Sequence, residues 1–275
     1  MAGPSAVAKN YYSINQLENM DKLNIIKVGG KVVEDPAALE QFLQDFAKIS
    51  GHKLLVHGGG TLATELAKQL GIENKITEGR RITDAETLKI VTMVYGGLIN
   101  KNIVACLQAK NINALGLTGA DLNLIRSDKR PVKEIDYGYV GDVKEVQGDL
   151  LAELLKLGIV PVLAPITHDK NGQLLNTNAD TIAAETAKAL AEYFDVHLIY
   201  CFEKKGVLMD PEDENSVISE IDANLFKEYV EQGIIREGMI PKLQNAFEAI
   251  HCGVKDVTIT KAQDILLGKG TRIML

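Results

Sequence analysis

The sequence predicts an α/β protein whose parallel sheet is covered by helices on both faces. Two observations carry this reading. Short apolar runs alternate with longer segments of helical periodicity along most of the chain, and glycine clusters follow the first three runs. Leu23 to Val28 is the first strand and ends in Gly29-Gly30. Pro36 opens a helix with Leu39, Phe42, Leu43 and Phe46 on one face. Lys53 to His57 is the second strand, closed by Gly58-Gly59-Gly60, and a helix with Leu62, Leu66 and Leu70 then runs to Gly71. Thr83 and Glu86 have the spacing of a capping box before a long helix that reaches about Lys110. Ile112 to Leu117 is a third strand, with Gly119 just beyond it. Leu150 to Leu157 is a helix and Ile159 to Leu163 a fourth strand. Fully apolar strands of this kind belong to a sheet buried on both sides.

Two stretches break the rhythm. Residues 121–147 hold short alternating runs with Gly138 and Gly141, and residues 166–176 hold Asn171-Gly172 between Ile166 and Leu174-Leu175. Both predict hairpins attached to the parallel core. The rhythm then resumes with a helix over 179–193 and a strand over 196–201. Asp222 can cap a helix ending at Gly233, and a helix from about Gly238 to His251 precedes a strand over 257–260. The change of rhythm near 176–180 is the best lobe boundary.

Composition narrows the function. The chain has 275 residues, 46% hydrophobic and 24% charged, which excludes disorder, collagen and a small disulfide scaffold. No apolar run approaches the roughly 18 residues of a membrane helix. Net charge is −7, with no Trp and no basic run, so neither nucleic acid nor a membrane is an expected partner. Cys106, Cys201 and Cys252 are odd in number and lack metal spacing, which predicts reduced thiols in the cytoplasm. Neither H-E-x-x-H nor C-x-x-C occurs, so no protein-held metal is expected. Residues 1–22 read as a polar extension or leader, with Met20 a possible start. The alternative is an amphipathic arm carrying Tyr11, Tyr12, Ile14 and Leu17.

The chemistry should lie where ligands lie in open parallel sheets, outside the carboxyl ends of the strands. Glycine there lets backbone N–H groups approach an anion, and a following helix N-terminus adds partial positive charge. Neither the Walker loop nor G-x-G-x-x-G is present, so any phosphate site is built differently. Lys27 interrupts an apolar strand two residues before Gly29. Its ammonium either reaches an anion at the strand end or snorkels to solvent. Arg80-Arg81 supply a fork suited to a carboxylate. Asn176-Thr177-Asn178-Ala179-Asp180 is either a polar ligand site or a simple cap from Asn178 or Asp180. Lys242 follows Pro241 at a helix start, and His57 lies beside the second glycine cluster.

These pieces together resemble the amino acid kinase family, and within it the acylglutamate branch. The matching text is Ile25-Ile26-Lys27-Val28-Gly29-Gly30, Val56-His57-Gly58-Gly59-Gly60, Gly79-Arg80-Arg81-Ile82-Thr83 and Asn176 to Asp180. It continues through Gly233 to Lys242 and closes with Gly270-Thr271-Arg272-Ile273. The resemblance implies a three-layer αβα sandwich with a mainly parallel central sheet, two lobes in one domain. The first lobe, 23–178, would bind acylglutamate and form a homodimer; the second, 179–275, would bind ATP. It implies catalytic roles for Lys27 and Lys242 on the transferring phosphoryl group, held in place by Asp180. Substrate would meet Gly59, Gly60, Arg81, Asn176 and Asn178. The nucleotide would meet Gly29, Gly30, Cys201, Phe202, Gly206, Ile234, Ile235 and Arg236. The stretch from Phe202 to Val207 is more charged than the family's usual Asp-containing version.

The implied reaction is phosphorylation of the γ-carboxylate of N-acetyl-L-glutamate by ATP with Mg²⁺. A carboxylate nucleophile is ionised at neutral pH, so no general base is required. Phosphoryl transfer needs alignment and charge neutralisation, and two lysines with backbone donors supply both. The alternatives are a kinase for another acylglutamate such as N-succinyl-L-glutamate, another amino acid kinase, or a ligand-sensing relative without turnover.

Overall fold

A computed structural model describes residues 20–77, 80–236 and 239–275. Residues 1–19, which hold Tyr11, Tyr12, Ile14 and Leu17 of the expected extension, lie outside the described residues, as do Glu78, Gly79, Glu237 and Gly238. The strands are β1 (Lys22–Val28), β2 (His52–His57), β3 (Lys75–Thr77), β4 (Arg80–Ile82), β5 (Ala114–Leu117), β6 (Ile125–Lys129) and β7 (Gly141–Val146). They continue as β8 (Val160–Leu163), β9 (Ile166–His168), β10 (Leu174–Asn176), β11 (Asp195–Phe202), β12 (Glu220–Ile221), β13 (Asp256–Lys261) and β14 (Thr271–Ile273). The helices are α1 (Gly30–Glu34), α2 (Pro36–Lys48), α3 (Gly60–Gln69), α4 (Ala85–Gln108), α5 (Gly148–Lys156), α6 (Ala179–Leu190), α7 (Ala223–Glu231) and α8 (Ile240–His251).

The central sheet has eight strands in the order β12-β14-β13-β11-β1-β2-β8-β5, and all neighbours run parallel except β13 and β14. The chain builds outward from β1 to β2, β5 and β8, then crosses back to β11 and builds the other side. That reversal between β1 and β11 is a topological switch point, where the loops part and leave a crevice. The two predicted hairpins form β6–β7 and β9–β10, joined by a parallel β6–β9 contact into a separate four-stranded sheet.

Side-chain alternation splits the core into two layers. Leu23 and Ile25 of β1, Leu54 and Val56 of β2, and Val196, Leu198 and Tyr200 of β11 share one face. They pack on Leu151 of α5, Ile182 of α6 and Leu243 of α8. The residues between them, Ile26, Val28, Leu55 and Cys201, face Phe42 and Phe46 of α2, Ala63 of α3, and Val91 and Ile103 of α4. This is the expected sandwich. α4 is long and apolar enough to cross a membrane by length and composition, but its buried residues belong to this second layer.

Three local readings are corrected. The cap of α4 is Asp84, whose carboxylate accepts from the Thr87 N–H at 2.7 Å. Thr83, expected there, is buried one residue earlier and bonds to the Arg81 carbonyl and to Asn176 instead. α4 is also not uniformly α-helical: Thr92–Ile99 is a π-helical segment, which periodicity alone does not distinguish. The short α1, the hairpin β3–β4 and the short strands β12 and β14 at one end of the sheet are additions to the predicted elements.

Candidate active site

The alternation that builds the core also builds the site. Lys27 continues the Leu23–Ile25 face of β1, and Phe202 continues the Val196–Leu198–Tyr200 face of β11. Both therefore point towards the N-termini of α6 and α8. Asn178 caps α6, its side-chain oxygen accepting from the N–H groups of Asp180 at 2.8 Å and Thr181 at 3.1 Å. Asp180 is thereby fixed in the first turn. Lys27 Nζ lies 2.8 Å from Asp180 Oδ1, with the two side chains 9% and 10% exposed. That oxygen makes no hydrogen bond, so the contact is an ion pair held by proximity. Tyr200 donates its hydroxyl to the Asp180 carbonyl at 3.3 Å.

Lys242 enters from the first turn of α8. Its Nζ sits 3.8 Å from the centroid of the Phe202 ring, and Lys27 Nζ sits 5.0 Å from the same centroid. Two ammonium groups thus share one aromatic ring and one nearby carboxylate. Burial lowers the pKa of Lys242; attraction to Asp180 opposes this and repulsion from Lys27 adds to it. Half-buried positive charge in excess of its partners calls for an anionic ligand.

Two cavities flank this cluster. One, of about 570 Å³, is lined by Lys27, Gly29, Gly30, Phe202, Gly206, Ile234, Ile235, Arg236 and Lys242. Val207, Leu208, Pro211 and Met239 make much of its wall apolar, suited to a flat ring with a charged tail. The other, of about 530 Å³, is lined by Gly58, Gly59, Gly60, Arg81, Asn176 and Asn178, with Arg80, Thr64 and Tyr95. Gly30 and Lys31 line both cavities, so the two meet there.

The loops at the junction pack closely, and Gly59 has no room for a side chain. A Cβ on Gly58 would lie 3.1 Å from the Gly30 nitrogen, because the two loops touch backbone to backbone. Gly59 has φ 153°, and its Cβ would fall 2.2 Å from Ile99 Cδ1. Arg81 is held against the second loop: its Nη2 donates to the Gly60 carbonyl and the Thr64 hydroxyl, each at 2.7 Å, and its Nη1 donates to Asn74 Oδ1. Asn176 donates to the Thr83 hydroxyl at 2.9 Å. Burial raises the pKa of Tyr95 beside this guanidinium.

The structure brings together every site residue expected from the sequence except Cys201. Its side chain falls on the opposite sheet face, fully buried beneath α2, where burial pushes the thiol up to about 12. Only its carbonyl, which accepts from the Gly29 N–H at 3.1 Å, faces the loop. Strict alternation from Lys27 and Phe202 could have excluded it. Asn178 lines the cavity, but its side-chain oxygen is engaged as the cap of α6. Lys31 was missed, although its place directly after Gly29-Gly30 was a signal. It pairs with Glu203 at 2.9 Å across the mouth of the first cavity. Among the described residues, no group of three or more His, Cys, Asp or Glu is placed to hold a metal ion.

Comparison with known proteins identifies the family. The sequence model of the amino acid kinase family matches residues 22–261. The acetylglutamate kinase of Parabacteroides distasonis is 70% identical over 254 residues, covering 92% of this chain and 100% of that protein. The acetylglutamate kinase of Methanopyrus kandleri is 39% identical over 253 residues, covering 90% and 99%. Among solved structures, smu.665 from Streptococcus mutans superposes with a TM-score of 0.77 at 28% identity, covering 92% of this chain and 98% of that one. The chain belongs to the amino acid kinase family.

Proposed function

We propose that this chain transfers the γ-phosphoryl group of ATP to the γ-carboxylate of N-acetyl-L-glutamate, giving N-acetyl-L-glutamyl 5-phosphate for arginine biosynthesis. The observation that carries the reading is the meeting of the two cavities at Gly30 and Lys31, beside Lys27, Lys242 and Asp180. A carboxylate oxygen from one side attacks the γ-phosphorus, the bond to the bridging oxygen breaks, and ADP leaves on the other side. Lys27 and Lys242 neutralise charge on the transferring group and the leaving oxygen, and Asp180 keeps both ammonium groups in reach. Gly59 and Gly60 offer backbone N–H groups to the substrate, and Arg81 with Asn176 receives its α-carboxylate. Asn178 shapes that cavity as the cap of α6. Gly29 and Gly30 approach the ATP phosphates, and the adenosine lies along Phe202, Gly206 and Ile234 to Arg236. Mg²⁺ enters as part of the nucleotide substrate, which is how it commonly meets phosphate sites with few protein ligands.

Residues 23–178 form the acylglutamate lobe and residues 179–275 the nucleotide lobe. The homodimer is built by the first lobe. Its support is the exposed apolar side chains of this lobe, Met93 and Leu98 on α4 and Leu115 on the edge strand β5. The cytoplasm is the location, and the three free cysteines fit a reducing compartment. Arg80, on the wall of the same cavity as Arg81, favours a second reading in which the acyl group itself carries a carboxylate, as in N-succinyl-L-glutamate.

The test is ADP release from MgATP with N-acetyl-L-glutamate, N-succinyl-L-glutamate, L-glutamate and L-aspartate, with hydroxylamine trapping of the acyl phosphate. A hydroxamate from N-acetyl-L-glutamate supports the first reading, and one from the succinyl substrate alone supports the second. Product from a free amino acid overturns both. Binding by calorimetry without turnover would make the chain a sensor.

A further inference from the structure

We propose that His57 is a positioning residue that, in one neutral tautomer, aims the Gly59 N–H into the acylglutamate cavity. This rests on the reading of that cavity given above. His57 ends β2 on the face of Lys53 and Leu55, so it points away from the lysine cluster and into the α4 layer. It is fully buried and lines neither cavity, so it is not a catalytic residue.

Its two ring nitrogens have unlike partners. Nδ1 lies 2.8 Å from the Gly58 carbonyl oxygen, which only accepts. Nε2 lies 3.2 Å from Asn100 Nδ2, which only donates. The orientation of that amide is set independently: Asn100 Nδ2 also donates to the Val162 carbonyl at 2.9 Å, and Asn100 Oδ1 accepts from Lys101 Nζ at 3.1 Å. Turning the amide over would set two oxygens together and two donors together. The network therefore requires hydrogen on Nδ1 and a lone pair on Nε2. Burial agrees with a neutral ring, lowering its pKa to about 4.

The consequence falls on the next peptide. The Gly58 carbonyl and the Gly59 N–H belong to one planar unit, and among the described residues no peptide is cis. In a trans unit the two groups point oppositely, so holding the carbonyl towards His57 turns the N–H away from it. Ile99 and Tyr95 of α4 occupy the space a Cβ on Gly59 would enter, and Asn100 Oδ1 lies only 2.0 Å from where a Cβ on Gly116 of β5 would fall. The helix, the histidine and the loop are packed as one unit.

The experiment joins a spectroscopic and a kinetic readout on the full chain. In ¹⁵N-histidine NMR of the wild type, His57 should show a protonated Nδ1 and a bare Nε2 from pH 8 down to about 5. His57→Leu should raise KM for N-acetyl-L-glutamate by about tenfold while KM for ATP stays within about twofold. His57→Asn, whose amide can reach the place of Nδ1, should recover most of that loss. A wild-type spectrum with hydrogen on Nε2 overturns the proposal, even if neither variant folds. Leu and Asn variants that raise KM equally, or that shift both substrates together, also overturn it. Absence of wild-type turnover would instead remove the reading of the reaction.

Discussion

At the scale of single residues, the site is a problem in holding two positive charges close together. Lys27 and Lys242 repel, and Asp180 and the Phe202 ring offset that repulsion from two sides. Substituting Lys27→Ala removes a preorganised charge and should lower kcat by about 10²–10³, measured by ADP release at saturating substrates. It also leaves Asp180 buried without its partner, so the anionic substrate is opposed as well as unassisted. Phe202→Leu keeps apolar bulk but removes the ring face. Cation–π contacts of this kind are worth about 0.5–2 kcal/mol, so kcat should fall by roughly 2- to 30-fold with little change in melting temperature. A variant with unchanged kcat would reduce Phe202 to wall material. The lowered pKa of Lys242 sets a pH dependence whose sign is fixed. A lysine with a depressed pKa loses its proton earlier as pH rises, so the alkaline limb of kcat/KM lies below the ordinary lysine range of about 10.4. Lys242→Arg, charged throughout, should move that limb upwards whatever it does to the plateau rate.

At the scale of elements, the site depends on helices that start at the ends of strands and on one that deforms to reach a loop. Asp84 caps α4, and Asp84→Ala should cost about 1 kcal/mol in urea unfolding. The π-helical segment of α4 places Tyr95 and Ile99 against Gly59, and a methyl group there has no room. Strands β1, β2, β8 and β11 were legible because a sheet buried on both faces writes continuous apolar runs into the sequence. The glycine clusters and Lys27 were legible because each violates the economy of a plain strand. What stayed hidden followed from contacts distant in sequence. β12 and β14 are short strands at one end of the sheet, and the π segment shares its apolar periodicity with an α-helix. Asn100, the partner of His57, lies 43 residues from it. The capping error has a different cause, since Thr83-Asp84 offers two capping residues in a row and only the register of α4 chooses between them.

At the scale of the molecule, the two faces of the sheet divide the labour. One gathers the charged groups at the switch point between β1 and β11, and the other holds His57 neutral beneath α4. That second arrangement makes the stability of the whole chain respond to acid. A free histidine titrates near 6.5, whereas folded His57 does so at about 4. Between those values the unfolded chain binds a proton that the folded chain does not, so stability rises with pH in this window and falls as pH drops through it. The contribution is complete above about 6.5 and declines by up to 1.36 kcal/mol per unit below it, reaching roughly 3 kcal/mol at pH 4. Asp84 and Asp256, whose pKa values are lowered in the fold, lose their contribution only as pH falls below their ordinary value of 3.8. Those carboxylates therefore stay out of the interval from 6.5 to 5, and comparison with His57→Leu separates His57 from the other four histidines. Urea unfolding at pH 7 and pH 5 should show the wild type losing about 2 kcal/mol, with His57→Leu, however stable at pH 7, losing far less. Equal losses in the two proteins would mean that the buried ring is charged in the native state, and the neutral network around the glycine loop would then be wrong.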